Sequence, residues 1–211
     1  MTNLLAEQLC SEQDSLRCLL VHQLAHGKPV AQTRLSAMLQ ISQQELAQRL
    51  AALPDIEFDE YGNIVGQAMT LVPTSHRVQI RGTSLYAWCA FDTVEYPPVL
   101  NAEAQVHSTC PTTGQTITFV VTPEGEVREL TPAASVMSLM LPRQRSDSAR
   151  AIFCVQSLFF SSEQAASQSL STHPQVVLLS VAEAASLGRL VAQQRFSQMP
   201  TWGDSASKDG R

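Results

Sequence analysis

Leu85-Tyr86-Ala87-Trp88-Cys89-Ala90-Phe91-Asp92-Thr93 is the stretch on which the reading of this chain turns. Thr83 or Ser84 can cap a helix, and neither Gly nor Pro follows until Pro97-Pro98, so the spacing predicts a helix closed by the two prolines. On such a helix Cys89 and Asp92 share a face, with Cβ atoms about 5–6 Å apart. A thiol beside a carboxyl group can share one proton with it, so the pair titrates as a unit next to a soft nucleophile.

Working outward, Arg77-Val78-Gln79-Ile80 reads as a short strand before that helix. Residues 103–109 and 115–121 alternate apolar and polar as a hairpin, with Ala104, Val106, Ile117, Phe119 and Val121 inward and a loop at Cys110-Pro111-Thr112-Thr113-Gly114. Glu126–Leu130 and Val136–Leu141 are further strand segments, and Pro142–Arg150 is a polar loop made basic by Arg143, Arg145 and Arg150. Ala151–Phe160, carrying Cys154, is the strongest strand candidate. Ser161 or Ser162 caps a helix to about Leu170, and Gln175–Leu179 is a strand. Ser180 and Glu183 form a capping box for a helix to about Met199. This order predicts an α+β domain over residues 76–199, built of short antiparallel sheets and helices, with a frayed tail at 200–211.

The first 72 residues read differently. One or two helices span 4–26, broken around Cys10-Ser11-Glu12, and Gly27-Lys28-Pro29 turns the chain. A short helix covers Thr33–Leu39, and Ser42 with Glu45 makes a capping box for another over Gln43–Leu53. Ile56–Phe58 and Ile64–Leu71 then form a β-hairpin around Asp59-Glu60-Tyr61-Gly62-Asn63. Three helices and a hairpin make a winged-helix-like module, with Pro73-Thr74-Ser75 as linker. Such a module invites a DNA-binding reading, but charge opposes it. Across residues 1–70 four cations (Arg17, Lys28, Arg34, Arg49) face eight carboxylates, a net charge of −4. Phosphate neutralisation supplies most DNA affinity, so a scaffold or lid on the second domain is the expected role.

Composition narrows the class further. The chain of 211 residues has a formal net charge of −5, a poor footprint for nucleic acid or anionic membrane. No run approaches the roughly 18 apolar residues of a membrane helix, and the N-terminus has no basic region followed by an apolar core. A cytoplasmic protein is expected. Its five cysteines (Cys10, Cys18, Cys89, Cys110, Cys154) are widely spaced without a CxxC pair, which in a reducing compartment predicts thiols. Cys10 and Cys18, on an apolar helical face with Leu9, Leu16, Leu19 and Leu20, fit the role of buried small hydrophobes.

The Leu85–Thr93 stretch resembles the active-site segment of the organomercurial (alkylmercury) lyases. Gly27-Lys28-Pro29-Val30, His107-Ser108-Thr109-Cys110 and Phe153-Cys154 followed by Phe159-Phe160 agree in order and spacing, and the likeness runs to about Phe196. The resemblance implies that Cys89, Asp92 and Cys154 carry catalysis and hold the Hg(II) product, and that Cys110 is a structural thiol. It implies no organic cofactor, organomercurial small molecules as substrates, cellular thiols assisting product release, and Hg(II) passed on to a mercuric reductase. Two departures stand out. Phe91 occupies a position where a smaller aliphatic residue is expected, and Val155 follows Cys154, so no vicinal thiol is present there.

The chemistry is consistent with that kit. Mercury(II) is soft and prefers thiolates to carboxylate or water. One thiolate captures R–Hg⁺, a second raises electron density on the metal, and an acid must supply the proton with which carbon leaves. Trp88 and Phe91, flanking the pair, either pack in the core or line a pocket for the organic group. His107 and Cys110 have an HxxC spacing, but a zinc site needs four ligands and no second pair lies nearby. A Ser-His-Asp or Cys-His hydrolase would have to recruit His76, His107 or His173, none of which belongs to a nucleophile elbow. A mercury-binding or sensing protein on a winged helix, without turnover, is the alternative from another class. Asp92 speaks against it, because a binder has no use for an acid beside its cysteine.

Overall fold

The computed structural model describes residues 14–53, 55–140, 149–170 and 176–196. Cys10, the break at 10–12, Arg143, Arg145, His173 and the 200–211 tail lie outside the described residues. The architecture is α+β.

Among the described residues three helices come first: α1 (Asp14–Leu24), α2 (Gln32–Leu39) and α3 (Gln43–Ala51). Ser42 caps α3 by accepting the Glu45 amide at 3.1 Å. Leu16, Leu19, Leu20, Leu24, Leu35, Leu46 and Leu50 close a small core with Val30 and Ile64. The opposite side of α1 places Cys18 and Val21 in the main core, so Cys18 is the buried small hydrophobe its spacing suggested.

The hairpin follows as β1 (Glu57–Phe58) and β2 (Ile64–Gln67), with β3 (Met69–Thr70) folding back on β2. Asp59 organises the turn, its Oδ1 accepting the amides of Tyr61 and Asn63 at 2.9 and 2.8 Å. The sheet does not stop at Pro73-Thr74-Ser75. With β4 (His76–Ile80), β5 (Thr83–Ala87), β6 (Ala104–Thr109), β7 (Thr116–Val121) and β8 (Val127–Thr131) it forms eight strands in the order β1-β2-β3-β5-β4-β6-β7-β8. The expected hairpin at 103–121 is β6 paired with β7, with Val106 opposite Phe119 and both buried. A second sheet has the order β10-β9-β11, from β9 (Val136–Met140), β10 (Phe159–Phe160) and β11 (Val176–Ser180).

Three sequence expectations fail here, for physical reasons. Ile64–Leu71 is not one strand, because the chain doubles back at Ala68, whose φ is 63°. Leu85–Ala87 is strand, not helix. Arg81 and Gly82 both have positive φ (50° and 77°), and Ile80 pairs with Thr83, so the two residues make a tight hairpin turn of the primed kind that fits the twist of paired strands. The helix α4 begins only at Ala90, and it runs through Pro97 and Pro98 to Leu100. The prolines remove two amide donors without ending it. Ala151–Phe160 is likewise not a strand. Residues Ala149–Ile152 form a single helical turn, α5, so Arg150 is not in a loop. Cys154–Gln156 is a 3-10 turn, and only Phe159–Phe160 is extended. An apolar run of that length does not distinguish buried turns from strand.

Helices α6 (Glu163–Leu170) and α7 (Val181–Phe196) complete the fold. The Ser180–Glu183 box is formed, with Glu183 Oε2 accepting the Ser180 amide at 2.8 Å and Ser180 Oγ accepting the Glu183 amide at 3.2 Å. Helix α7 packs along α4 at Gly188, where a Cβ would lie 2.7 Å from the carbonyl oxygen of Val94. Below this contact Arg195 bonds Glu95 at 2.6 Å and Asp14 at 3.1 Å, tying α7, α4 and α1 through a buried charge cluster. Among the described residues no helix is long and apolar enough to cross a membrane.

Candidate active site

Cys89 is the N-cap of α4, with extended backbone at φ −146° and ψ 173°. Its amide donates to Asp92 Oδ2 at 3.1 Å, while the Asp92 amide is directed back at the Cys89 side chain, a capping box with sulfur in place of the usual hydroxyl. The two residues are therefore held together by a helix start rather than by one turn of continuous helix. Asp92 also lies where a carboxylate is favoured by the helix dipole.

Cys154 arrives from the far side of the sequence on the 3-10 turn. The Ala90 amide donates to the Ser157 carbonyl at 2.9 Å, and Ser157 Oγ closes the turn onto the Phe153 carbonyl at 3.0 Å. Ser138 on β9 anchors the same turn, its hydroxyl donating to the Gln156 carbonyl at 2.7 Å. The result is that one ligand atom each from Cys89, Asp92 and Cys154 lies within 4.8 Å of the others.

Electrostatics keep protons in this cluster. Burial raises the Cys89 thiol well above its ordinary value, reinforced by its hydrogen bond with Cys154 and the charge of Asp92. For Cys154 the bond from Cys89 favours the thiolate, but burial and the charges of Asp92 and Asp55 outweigh it and the thiol is raised. Asp92 is pushed up to about 7, first by burial and then by Glu95 one turn along α4. Cys89 is wholly buried, whereas Cys154 keeps 8 % of its surface and Asp92 7 %.

Trp88 and Phe91 take different places. Trp88 is half-buried, with the Arg150 guanidinium 4.7 Å from its ring centroid. Phe91 has no exposed surface and meets Phe153 edge-on at 5.6 Å. Cys110 is outside the cluster, at the start of the β6–β7 loop. Burial raises its pKa, but bonds from Thr113 and Ser161 outweigh that and bring the thiol down to about 7. His76 is buried against Ser108 Oγ at 2.8 Å, and His107 lies mid-strand on β6.

Sequence reasoning missed Arg150, Glu57 and Asp55 around this site. Arg150 Nη1 bonds Glu57 Oε1 at 2.5 Å, and its amide donates to Asp55 Oδ2 at 3.1 Å. Glu57 and Arg150 stand 93 positions apart, and no local pattern announces such a pairing.

Residues 69–193 match the family model described as alkylmercury lyase, and residues 2–68 match the helix-turn-helix domain of alkylmercury lyase. An alkylmercury lyase of Pseudomonas putida is 39 % identical over 83 % of this chain and 82 % of its own length. One from Staphylococcus epidermidis is 37 % identical over 87 % of this chain and 84 % of its own. A solved structure described as the mercury-bound form of MerB2 superposes with a TM-score of 0.77 at 24 % identity, over 90 % of this chain and 95 % of that one, and so shares the fold.

Proposed function

The chain belongs to the alkylmercury lyase family of carbon–mercury lyases, and from that premise we propose that it cleaves R–Hg–X by protonolysis with Cys89, Cys154 and Asp92. The observation that supports this most is the convergence of two thiols and one carboxyl group within 4.8 Å in a nearly dry site. Each does something the others cannot. Cys89 or Cys154 displaces X to give a thiolate–Hg–R adduct, and binding of the soft metal drives its proton off. The other thiolate then attacks mercury and weakens the bond to carbon. Asp92, with a pKa near 7, accepts a thiol proton and passes it to carbon.

The step balances as R–Hg–X plus two thiols giving RH, HX and a bis-thiolate of Hg(II), so no organic cofactor is called on. Asp92 also lies within reach to share the product metal. Two small cellular thiols can remove Hg(II) by stepwise exchange, after which a mercuric reductase is the proposed recipient. Trp88 and Phe91 are proposed to shape the space for the organic group. Free thiols of this kind suit a reducing cytoplasm.

A headspace assay tests the reading. Methylmercury or phenylmercury incubated with the protein and excess small thiol should release methane or benzene catalytically. Stoichiometric trapping of R–Hg without RH would instead favour the binder or sensor.

A further inference from the structure

We propose that Glu57, on the N-terminal hairpin, is a positioning residue for the second thiol: through Arg150 it holds the turn carrying Cys154 against Cys89. The proposal rests on the two-thiol reading above.

Glu57 lies opposite Gly66, and Gly66 lies opposite Thr70, so the three form a row across β1, β2 and β3. The Glu57 side chain passes over Gly66, where a Cβ would stand 2.0 Å from its Oε2 and 2.7 Å from Thr70 Oγ1. That gap lets Oε2 take the Thr70 hydroxyl at 2.5 Å while Oε1 takes Arg150 at 2.5 Å. Both oxygens are thereby engaged, and the carboxylate is fixed rather than free to swing. Asp55, from the same segment, holds the Arg150 backbone.

The arm needs such anchoring. Helix α5 has four residues and the following 3-10 turn three, lengths that do not sustain themselves. Ile152 and Val155 are 46 % and 54 % exposed, so on that side burial holds the arm weakly. Arg150 precedes Cys154 by one helical turn, and charge-assisted bonds on it set where the thiol sits. The pair is partly exposed, 40 % at the Arg150 side chain and 17 % at that of Glu57, so solvent screening limits what it contributes to folding. The wing is then part of the catalytic apparatus, a use for this module that needs no DNA.

Full-length Glu57→Ala, Gly66→Ala and Cys154→Ser are compared with the parent for single-turnover benzene release from phenylmercury. Intact mass reports capture, peptide-mapped iodoacetamide labelling reports each thiol, and thermal unfolding reports the fold. Gly66→Ala leaves the carboxylate in the chain but displaces it, the added Cβ also crowding Thr70 Oγ1 at 2.7 Å. Both Glu57→Ala and Gly66→Ala should still capture phenylmercury, label faster at Cys154 relative to Cys89, and cleave about 10²-fold more slowly, as misplacement of a reacting group commonly costs, with the parental Tm kept in Glu57→Ala and lowered in Gly66→Ala by the crowding alone. Parental cleavage by Glu57→Ala beside an inactive Cys154→Ser overturns the role of Glu57 and leaves the two-thiol reading standing. Parental cleavage by Cys154→Ser overturns that reading itself. A parallel fall in capture, cleavage and Tm makes Glu57 merely structural and overturns the proposal.

Discussion

The amide of Ala90 and the carbonyl of Ser157 are joined at 2.9 Å, which fixes the start of α4 to the end of the turn carrying Cys154. The bond is made by backbone, so the frame that brings the thiols together does not depend on the sulfur atoms. Serine substitutions should therefore report on chemistry. Cys89→Ser and Cys154→Ser should each reduce organomercurial cleavage to background with thermal unfolding little changed, while Cys18→Ser, on the core-facing side of α1, should cleave normally. Cleavage at the parental rate by Cys154→Ser would remove the second thiol from the mechanism.

That same bond marks how far the sequence could be read. The spacing of Cys89 and Asp92 and the resemblance around Cys154 were legible because chemistry constrains residue type at fixed positions. The capping boxes at Ser42 and Ser180 were legible because they are local. The Arg81-Gly82 turn is also local, but an uninterrupted run from Thr83 to Tyr96 fits a helix as well as a strand followed by a helix. What held Cys154 in place was out of reach: Ser157 with Ala90, Ser138 with Gln156, and Glu57 with Arg150 are pairings set by tertiary folding, with no periodicity to betray them.

Gly188 should not tolerate a methyl group. Alanine would normally stabilise a helix interior by about 1 kcal/mol. Here the added Cβ would meet the Val94 carbonyl at 2.7 Å and the Glu95 amide at 3.0 Å, atoms of a backbone that cannot step aside. Overpacking of this kind costs about 1–3 kcal/mol or more. Gly188→Ala should accordingly lower Tm by several degrees, measured by calorimetry, and a higher Tm would show that α4 and α7 can separate freely.

His76 should make the fold acid-sensitive. Burial pushes its pKa from 6.5 to about 4, so the folded protein keeps it neutral while the unfolded chain protonates it below about 6.5. The unfolded state then binds more protons, and stability is lost as pH falls from about 6.5 to 4, by about 3 kcal/mol in full. Asp92 acts oppositely. Its folded pKa of about 7 lies above the ordinary 3.8, so its contribution is fully present below 3.8 and lost as pH rises through 7. The two partly cancel in the parent. His76→Gln removes only the first, so urea unfolding between pH 7 and pH 4.5 should show a smaller loss, or a gain, in the variant. Identical slopes would mean that His76 is not the group responsible.

The winged-helix-like module should not bind DNA specifically. Two of its four cations are already engaged, Arg17 beside buried Asp14 at 3.7 Å and Arg49 with Glu45 at 2.6 Å on α3. Few charges remain to displace counterions from phosphates. Footprinting at physiological salt should show no protected sequence at nanomolar protein, and one that did would revive the sensor.

Asp92→Asn should separate capture of mercury from cleavage. The asparagine side-chain oxygen can still accept the Cys89 amide, the bond made at 3.1 Å by the carboxylate, so the helix start and the thiol geometry should survive. What is lost is a group able to take a proton from a thiol and give it to carbon. A positioned acid commonly contributes about 10²–10⁴-fold, and release of RH should slow by at least that order. Mass spectrometry should find the variant carrying intact R–Hg adducts under conditions in which the parent carries bare Hg(II). The pH profile adds a second readout: parental cleavage should depend on a group titrating near 7, and that dependence should vanish in the variant. Near-parental turnover would show that the proton comes from elsewhere. Loss of both capture and cleavage would show that the carboxylate organises the thiols instead of delivering the proton.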